Sequence, residues 1–164
     1  MIGWKRYALA ALLAFVLVCA IVATTPKPTE VSFGACSMSG VTITVRFSNS
    51  EITKCVSGKT GTGWQVLEAA GFKLTGTTLA PTGFVCKIDG QPEKSSCKDF
   101  PGVTDQRWVY YYATPGAENW FYSMTGAGLR TPDCGGAELW VLTAGKSTLP
   151  PTVPADKPRT ITCR

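Results

Sequence analysis

Histidine is absent from the 164 residues. That removes the commonest general base, the commonest neutral metal ligand and the usual side chain for sensing pH near neutrality. A Ser or Cys nucleophile would need a lysine or a carboxylate as its base, and no such close grouping stands out. Asp99, Asp105 and Glu118 flank the most aromatic stretch but read as solvated loop carboxylates, and nothing places two of them across a cleft as glycoside hydrolysis requires. No CxxC spacing occurs, so a thiolate metal site is not supported. Neither Asn49 nor Asn119 sits in an N-x-Ser/Thr sequon. Charge is sparse at 16%, and the net charge of +5 falls to +3 once Lys5 and Arg6 are set aside with the leader. That is too mild and too dispersed for a nucleic-acid surface. Together these gaps turn the expectation away from catalysis and toward binding.

The composition that remains is that of a compact fold, 45% hydrophobic, with 17 Gly and 11 Pro punctuating aromatic and β-branched runs. This favours a β-rich domain. Residues 1–23 carry a basic start followed by a charge-free run of Ala, Leu and Val, an export segment between a signal-peptide core and a membrane span in length. Ala20 and Ala23 offer small-residue cleavage sites, so a secreted product and a membrane-anchored one facing outward both remain open. Cys19 lies inside this run as an apolar residue, since Val18 is not the small residue that lipid modification would want. Residues 24–35 begin as a Pro/Thr-rich tether, 36–145 form the domain, and 146–164 are a Pro-rich tail in which Leu149-Pro150-Pro151-Thr152-Val153 only imitates a sorting signal.

Within the domain, Val41, Ile43, Val45 and Phe47 alternate with polar residues and predict a half-buried strand. Residues 48–61 read as loop, with a short strand near Ile52. Thr62 and Gln65 fit a capping box ahead of a short helix over 63–70. Trp64, Leu67 and Ala70 form its buried stripe, and Gly71 with Phe72 closes it. Phe84, Cys86 and Ile88 predict another strand, and 137–143 a last one.

Residues 107–124, RWVYYYATPGAENWFYSM, hold seven of the chain's aromatic residues and predict a hairpin reversed at Pro115-Gly116. Period two puts Trp108, Tyr110 and Tyr112 on one face and Val109 and Tyr111 on the other. Val109, Tyr111 and Phe121 are expected to fill the core under the helix. Trp108, Tyr110, Tyr112, Trp120 and Tyr122 are then left as a ligand-binding face, with Trp140 extending it. A covered second face and a reversal of the two rows are the alternatives.

Six cysteines follow the leader: Cys36, Cys55, Cys86, Cys97, Cys134 and Cys163. An even count behind an export segment predicts a disulfide framework. Fifteen pairings are possible for six cysteines; Cys86 with Cys97 is the expected one, because a strand end and the loop returning beside it can meet at a Cα distance of about 4.4–6.8 Å. Cys163 should pin the tail. The order of strand, helix and further strands predicts an α+β fold, a small mostly antiparallel sheet with one helix across one face.

The segments GTGWQVLEAAGFKLTGT, FVCKIDGQP, WVYYYA with ENWFYS, and AELWVL resemble exported actinobacterial-type proteins, which in turn resemble the domain shared with the C-terminal lobe of the vitamin B12 carriers transcobalamin and intrinsic factor. The resemblance spans residues 40–143. It implies a ubiquitin-like β-grasp fold and a role in holding a corrinoid or another planar ligand. The other function the aromatic face suggests is docking on a membrane transporter or envelope partner.

Overall fold

The computed structural model describes residues 28–58, 61–143, 145 and 151–163; the expected export segment lies outside them. The elements are β1 (Glu30–Phe33), β2 (Val41–Arg46), β3 (Glu51–Ser57), α1 (Gly63–Ala69), β4 (Leu74–Gly76), β5 (Val85–Ile88), β6 (Trp108–Ala113), β7 (Phe121–Tyr122) and β8 (Ala137–Leu142). Six strands form one sheet in the order β1-β3-β2-β8-β6-β7, and β4 pairs with β5 in a second, two-stranded sheet. All pairings are antiparallel except the central β2–β8 pair, which is parallel. The fold is thus α+β, with the single described helix across one face. Among the described residues no helix is long and apolar enough to cross a membrane.

Helix α1 starts and stops where its residues dictate. Gln65 N–H donates to Thr62 Oγ1 at 3.4 Å and Thr62 N–H to Gln65 Oε1 at 2.9 Å, closing the capping box. The first amides, of Gly63 and Trp64, are taken by the carbonyls of Arg130 and Ala127. At the other end Gly71 has φ 83°, a conformation only glycine adopts freely. Phe72 N–H then folds back to Leu67 O at 3.3 Å. Trp64, Val66, Leu67 and Ala70 bury against Val41, Ile43, Val45 and Val56 of the sheet.

Two expectations are corrected. The stretch read as loop contains β3, seven residues long. Its Ile52, Lys54 and Val56 stand opposite Val45, Ile43 and Val41. The polar Lys54 hides the alternation, yet its ammonium does not seek bulk water. It donates to Ala70 O, at the C-terminal end of α1, at 2.6 Å and lies 4.7 Å from the centre of the Phe72 ring. The tether expected over 24–35 also ends early, because β1 pairs along β3 as an exposed edge strand.

Three disulfides brace the domain: Cys36–Cys55, Cys86–Cys97 and Cys134–Cys163, with Cα separations of 4.8, 5.7 and 5.9 Å. The expected Cys86–Cys97 pair is among them, and Cys163 does tie down the tail. That tail runs over the sheet face away from α1. Tyr111 Oη donates to Thr152 O at 2.8 Å, Ile161 N–H to Gly135 O at 2.8 Å, and Arg46 pairs with Asp156 at 3.2 Å. Beneath it Val109, Tyr111, Ala113, Trp120, Ala137 and Leu139 make a second buried cluster.

Candidate functional site

The two aromatic rows lie opposite to their expected sides. Trp108 and Tyr110 belong to the α1 face, whereas Val109, Tyr111 and Trp120 pack on the other. The reason is sheet register. Tyr110 stands opposite Trp140 and Trp108 opposite Leu142, so β8 carries its own bulky residues to the helix side and the β6 rings follow. All four described indoles are buried, those of Trp64, Trp108, Trp120 and Trp140; the open aromatic face expected of Trp108, Tyr110, Tyr112, Trp120 and Tyr122 is therefore not there. Phe121, expected inside, is 49% exposed.

What exists instead is a groove of about 380 Å³ beside the helix. The rings of Tyr110 and Trp140 stack in it with centroids 4.3 Å apart and planes 6° from parallel. Trp108 completes the floor; its indole N–H donates to Gln91 O at 2.7 Å, and its ring meets Phe47 edge-on. Phe84 and Phe100 form one wall as an edge-to-face pair 5.1 Å apart. Val103 and Met124 stand at the rim, 51% and 91% exposed. Of the five residues expected to bind, Trp108, Tyr110 and Tyr122 line this groove, together with Trp140. Tyr112 lies half-buried under the Arg130 guanidinium, 3.8 Å from its ring centre, and Trp120 is on the far face.

The walls had a readable cause that period-two reasoning does not supply. Phe84 precedes Cys86 by two positions and Phe100 follows Cys97 by three, so the bridge that joins the cysteines brings the two rings together.

Below the floor lies a polar cluster that sequence reasoning missed. Glu138, wholly buried in an otherwise apolar strand, accepts a short hydrogen bond from Tyr110 Oη. Arg130 Nε stands 3.5 Å from Glu138 Oε1, near enough for an ion pair but not aligned for a hydrogen bond, and Glu138 Oε2 has no partner among the described residues. Burial pushes the Glu138 carboxyl up to about 7, against the opposing pull of the Tyr110 hydrogen bond and the Arg130 charge. Burial, then the neighbouring Glu138, raises the Tyr110 hydroxyl above its ordinary value. A Cβ on Gly63 would stand 2.7 Å from Tyr110 Oη and 3.1 Å from Glu138 Oε2, so only glycine lets the helix start this close. The lone Glu in AELWVL was the available signal.

Chemically the groove offers a largely apolar, aromatic-lined surface, and among the described residues no cluster of His, Cys, Asp and Glu is placed to hold a metal ion. Neither the models of known protein families, nor the curated proteins, nor the solved structures contain a match to this chain.

Proposed function

We propose that the protein is an exported, non-catalytic binding module of β-grasp type that takes a small, flat, mostly apolar group into the groove over Tyr110 and Trp140. The observation that carries this reading is the parallel Tyr110–Trp140 pair, 4.3 Å apart, on the floor of a groove of about 380 Å³. That volume is within the range of small-molecule sites, roughly 300–1,000 Å³, which are mostly apolar with few polar groups. Two more observations support the module as a whole. A β2–β3 hairpin, then α1, then β8 returning parallel to β2 in the sheet centre is the order a β-grasp domain would have. Three disulfides suit an oxidising compartment outside the cytoplasm, whether the product is secreted or held at the membrane by residues 1–23. A corrinoid stays among the ligands proposed, entering by one flat edge, since its macrocycle with side amides exceeds the groove.

The second reading, docking on a membrane transporter or envelope partner, draws on the rim. Phe100, Val103 and Met124 expose apolar surface around the opening and could receive or supply an anchoring side chain. Tryptophan fluorescence separates the two. Titration with cobalamin and with smaller planar compounds such as 2-naphthalenemethanol should quench emission from Trp108 and Trp140, and quenching should disappear in Trp140→Leu. Absence of any response at high micromolar ligand removes small-molecule capture and leaves the docking reading, for which Met124→Asp should weaken partner binding.

A further inference from the structure

The groove floor is built on a buried acid. Tyr110 presents its ring to the groove and its hydroxyl to Glu138, and the ring lies flat on Trp140, so the position of one carboxyl oxygen sets the position of both floor rings. The groups facing that carboxyl are few. From β6 come Tyr110 and Tyr112, the latter standing opposite Glu138 in register. From the loop after β7 comes Arg130, ion-paired at 3.5 Å. From β2 comes the apolar Ile43. From α1 comes Gly63, and the first helical turn carries no acidic residue. Among the described residues Arg130 is thus the one cation against Glu138, without a hydrogen bond to it, and Oε2 is left unpartnered at zero exposure.

An ionised carboxylate in that setting is under-compensated, since burying a charge is costly unless hydrogen bonds satisfy its lone pairs. A neutral carboxyl leaves a smaller deficit. The ionised form gains by any movement that brings water to Oε2. The groove side of the cluster is closed by the Tyr110 ring, so such a movement displaces the floor.

We propose that Glu138 is a positioning residue for the groove and acts as its proton-operated lock: neutral, it holds Tyr110 flat on Trp140 and the groove binds its ligand; ionised, it draws water under Tyr110 and the affinity falls. This rests on the groove being the binding site. Linkage gives the sign. A ligand pressed onto the floor holds Tyr110 against Glu138 and closes the route by which water reaches Oε2, so it favours the protonated form, and binding therefore takes up a proton. Burial already sets the carboxyl at about 7, which puts the change near neutrality. With no histidine in the chain, few other side chains can titrate there.

The experiment is a titration of the purified full chain with 2-naphthalenemethanol, a flat probe that stays neutral, followed by tryptophan quenching from about pH 6 to about pH 8.5. Affinity should fall as pH rises, by up to tenfold per unit above the transition, and Glu138→Gln should hold the acid-side affinity throughout. A flat profile in the parent chain, or the same slope in Glu138→Gln, overturns the lock. Should the probe fail to bind at every pH, the groove reading falls instead. The lock is then judged by carbon-13 NMR of labelled glutamate carboxyls together with near-ultraviolet circular dichroism. Both must show one transition near neutrality shared by the carboxyl and the ring pair, and a Glu138 titrating in the ordinary carboxylate range overturns it. The same NMR measurement on the parent chain decides the matter if Glu138→Gln does not fold.

Discussion

Both faces of the main sheet carry buried rings, more of them on the helix side, and the two are finished in different ways. On the far face Tyr111 and Trp120 lie under the chain's own tail, which a disulfide, one backbone and two side-chain hydrogen bonds and an ion pair hold in place. On the near face the cover is α1, seven residues long, with the β4–β5 pair beside it. At 1.5 Å per residue it reaches about 10 Å, whereas six strands at about 4.8 Å spacing span about 24 Å. The helix therefore packs mainly over β2 and reaches β6 only at its first residue, Gly63, beside Tyr110 Oη. A groove is the remainder. The difference teaches that surplus aromatic area does not mark a binding surface by itself; what marks one is the place where the cover ends.

Four measurements test this contrast. The largest effect should come from releasing the far face: Cys134→Ser with Cys163→Ser opens a loop of 29 residues and should cost roughly 3 to 4 kcal/mol of unfolding free energy in denaturant. Probe quenching in the groove should persist, since the contacts of the described tail residues lie on the other face. Loss of quenching without unfolding would break the separation of the faces.

Next comes pH. The folded Glu138 carboxyl titrates at about 7 against an ordinary value of 4.5, so the native state binds the extra proton between those limits. Stability should accordingly fall as pH rises through that window, by on the order of 3 kcal/mol, and level off above it. Chemical denaturation of the parent chain and Glu138→Gln across the window checks this, the variant being the flatter of the two in this range. Gly63→Ala should overpack the cluster on the near face alone, costing about 2 kcal/mol and weakening probe affinity; equal affinity with equal stability would sink the proposed crowding. The smallest change is Tyr111→Phe, which removes the bond to Thr152 O. It should lower stability by about 1 kcal/mol and speed amide exchange in the tail while leaving the groove as it was.

Much of the frame was legible because it depends on neighbours in sequence. The capping box at Thr62 and Gln65, the stop at Gly71 and the alternation of Val41, Ile43 and Val45 are local, and all appear. Cys86–Cys97 was legible because a strand and its returning loop stay close. Which way the β6 rings point was not. Period two separates two rows but cannot say which row meets the helix, and that is decided by β8, some thirty positions away, through the pairing of Tyr110 with Trp140. Strand β3 was obscured because Lys54, only partly buried, caps the end of α1 rather than standing free at the surface. That the tail would be pinned was readable from Cys163, but not that its pinned length would shield Tyr111 and Trp120.

The bridge between Cys86 and Cys97 has a further consequence for when the protein can act. Phe84 and Phe100 meet edge-to-face in one wall of the groove because that bond closes the loop between them, so a chain whose sulfurs are still reduced should have no finished mouth. The mouth of the groove would then be completed only once this bridge has formed. Mild reduction of the folded protein should accordingly abolish probe quenching while the far-ultraviolet signal of the sheet survives; retained quenching would show the mouth to be set by packing alone.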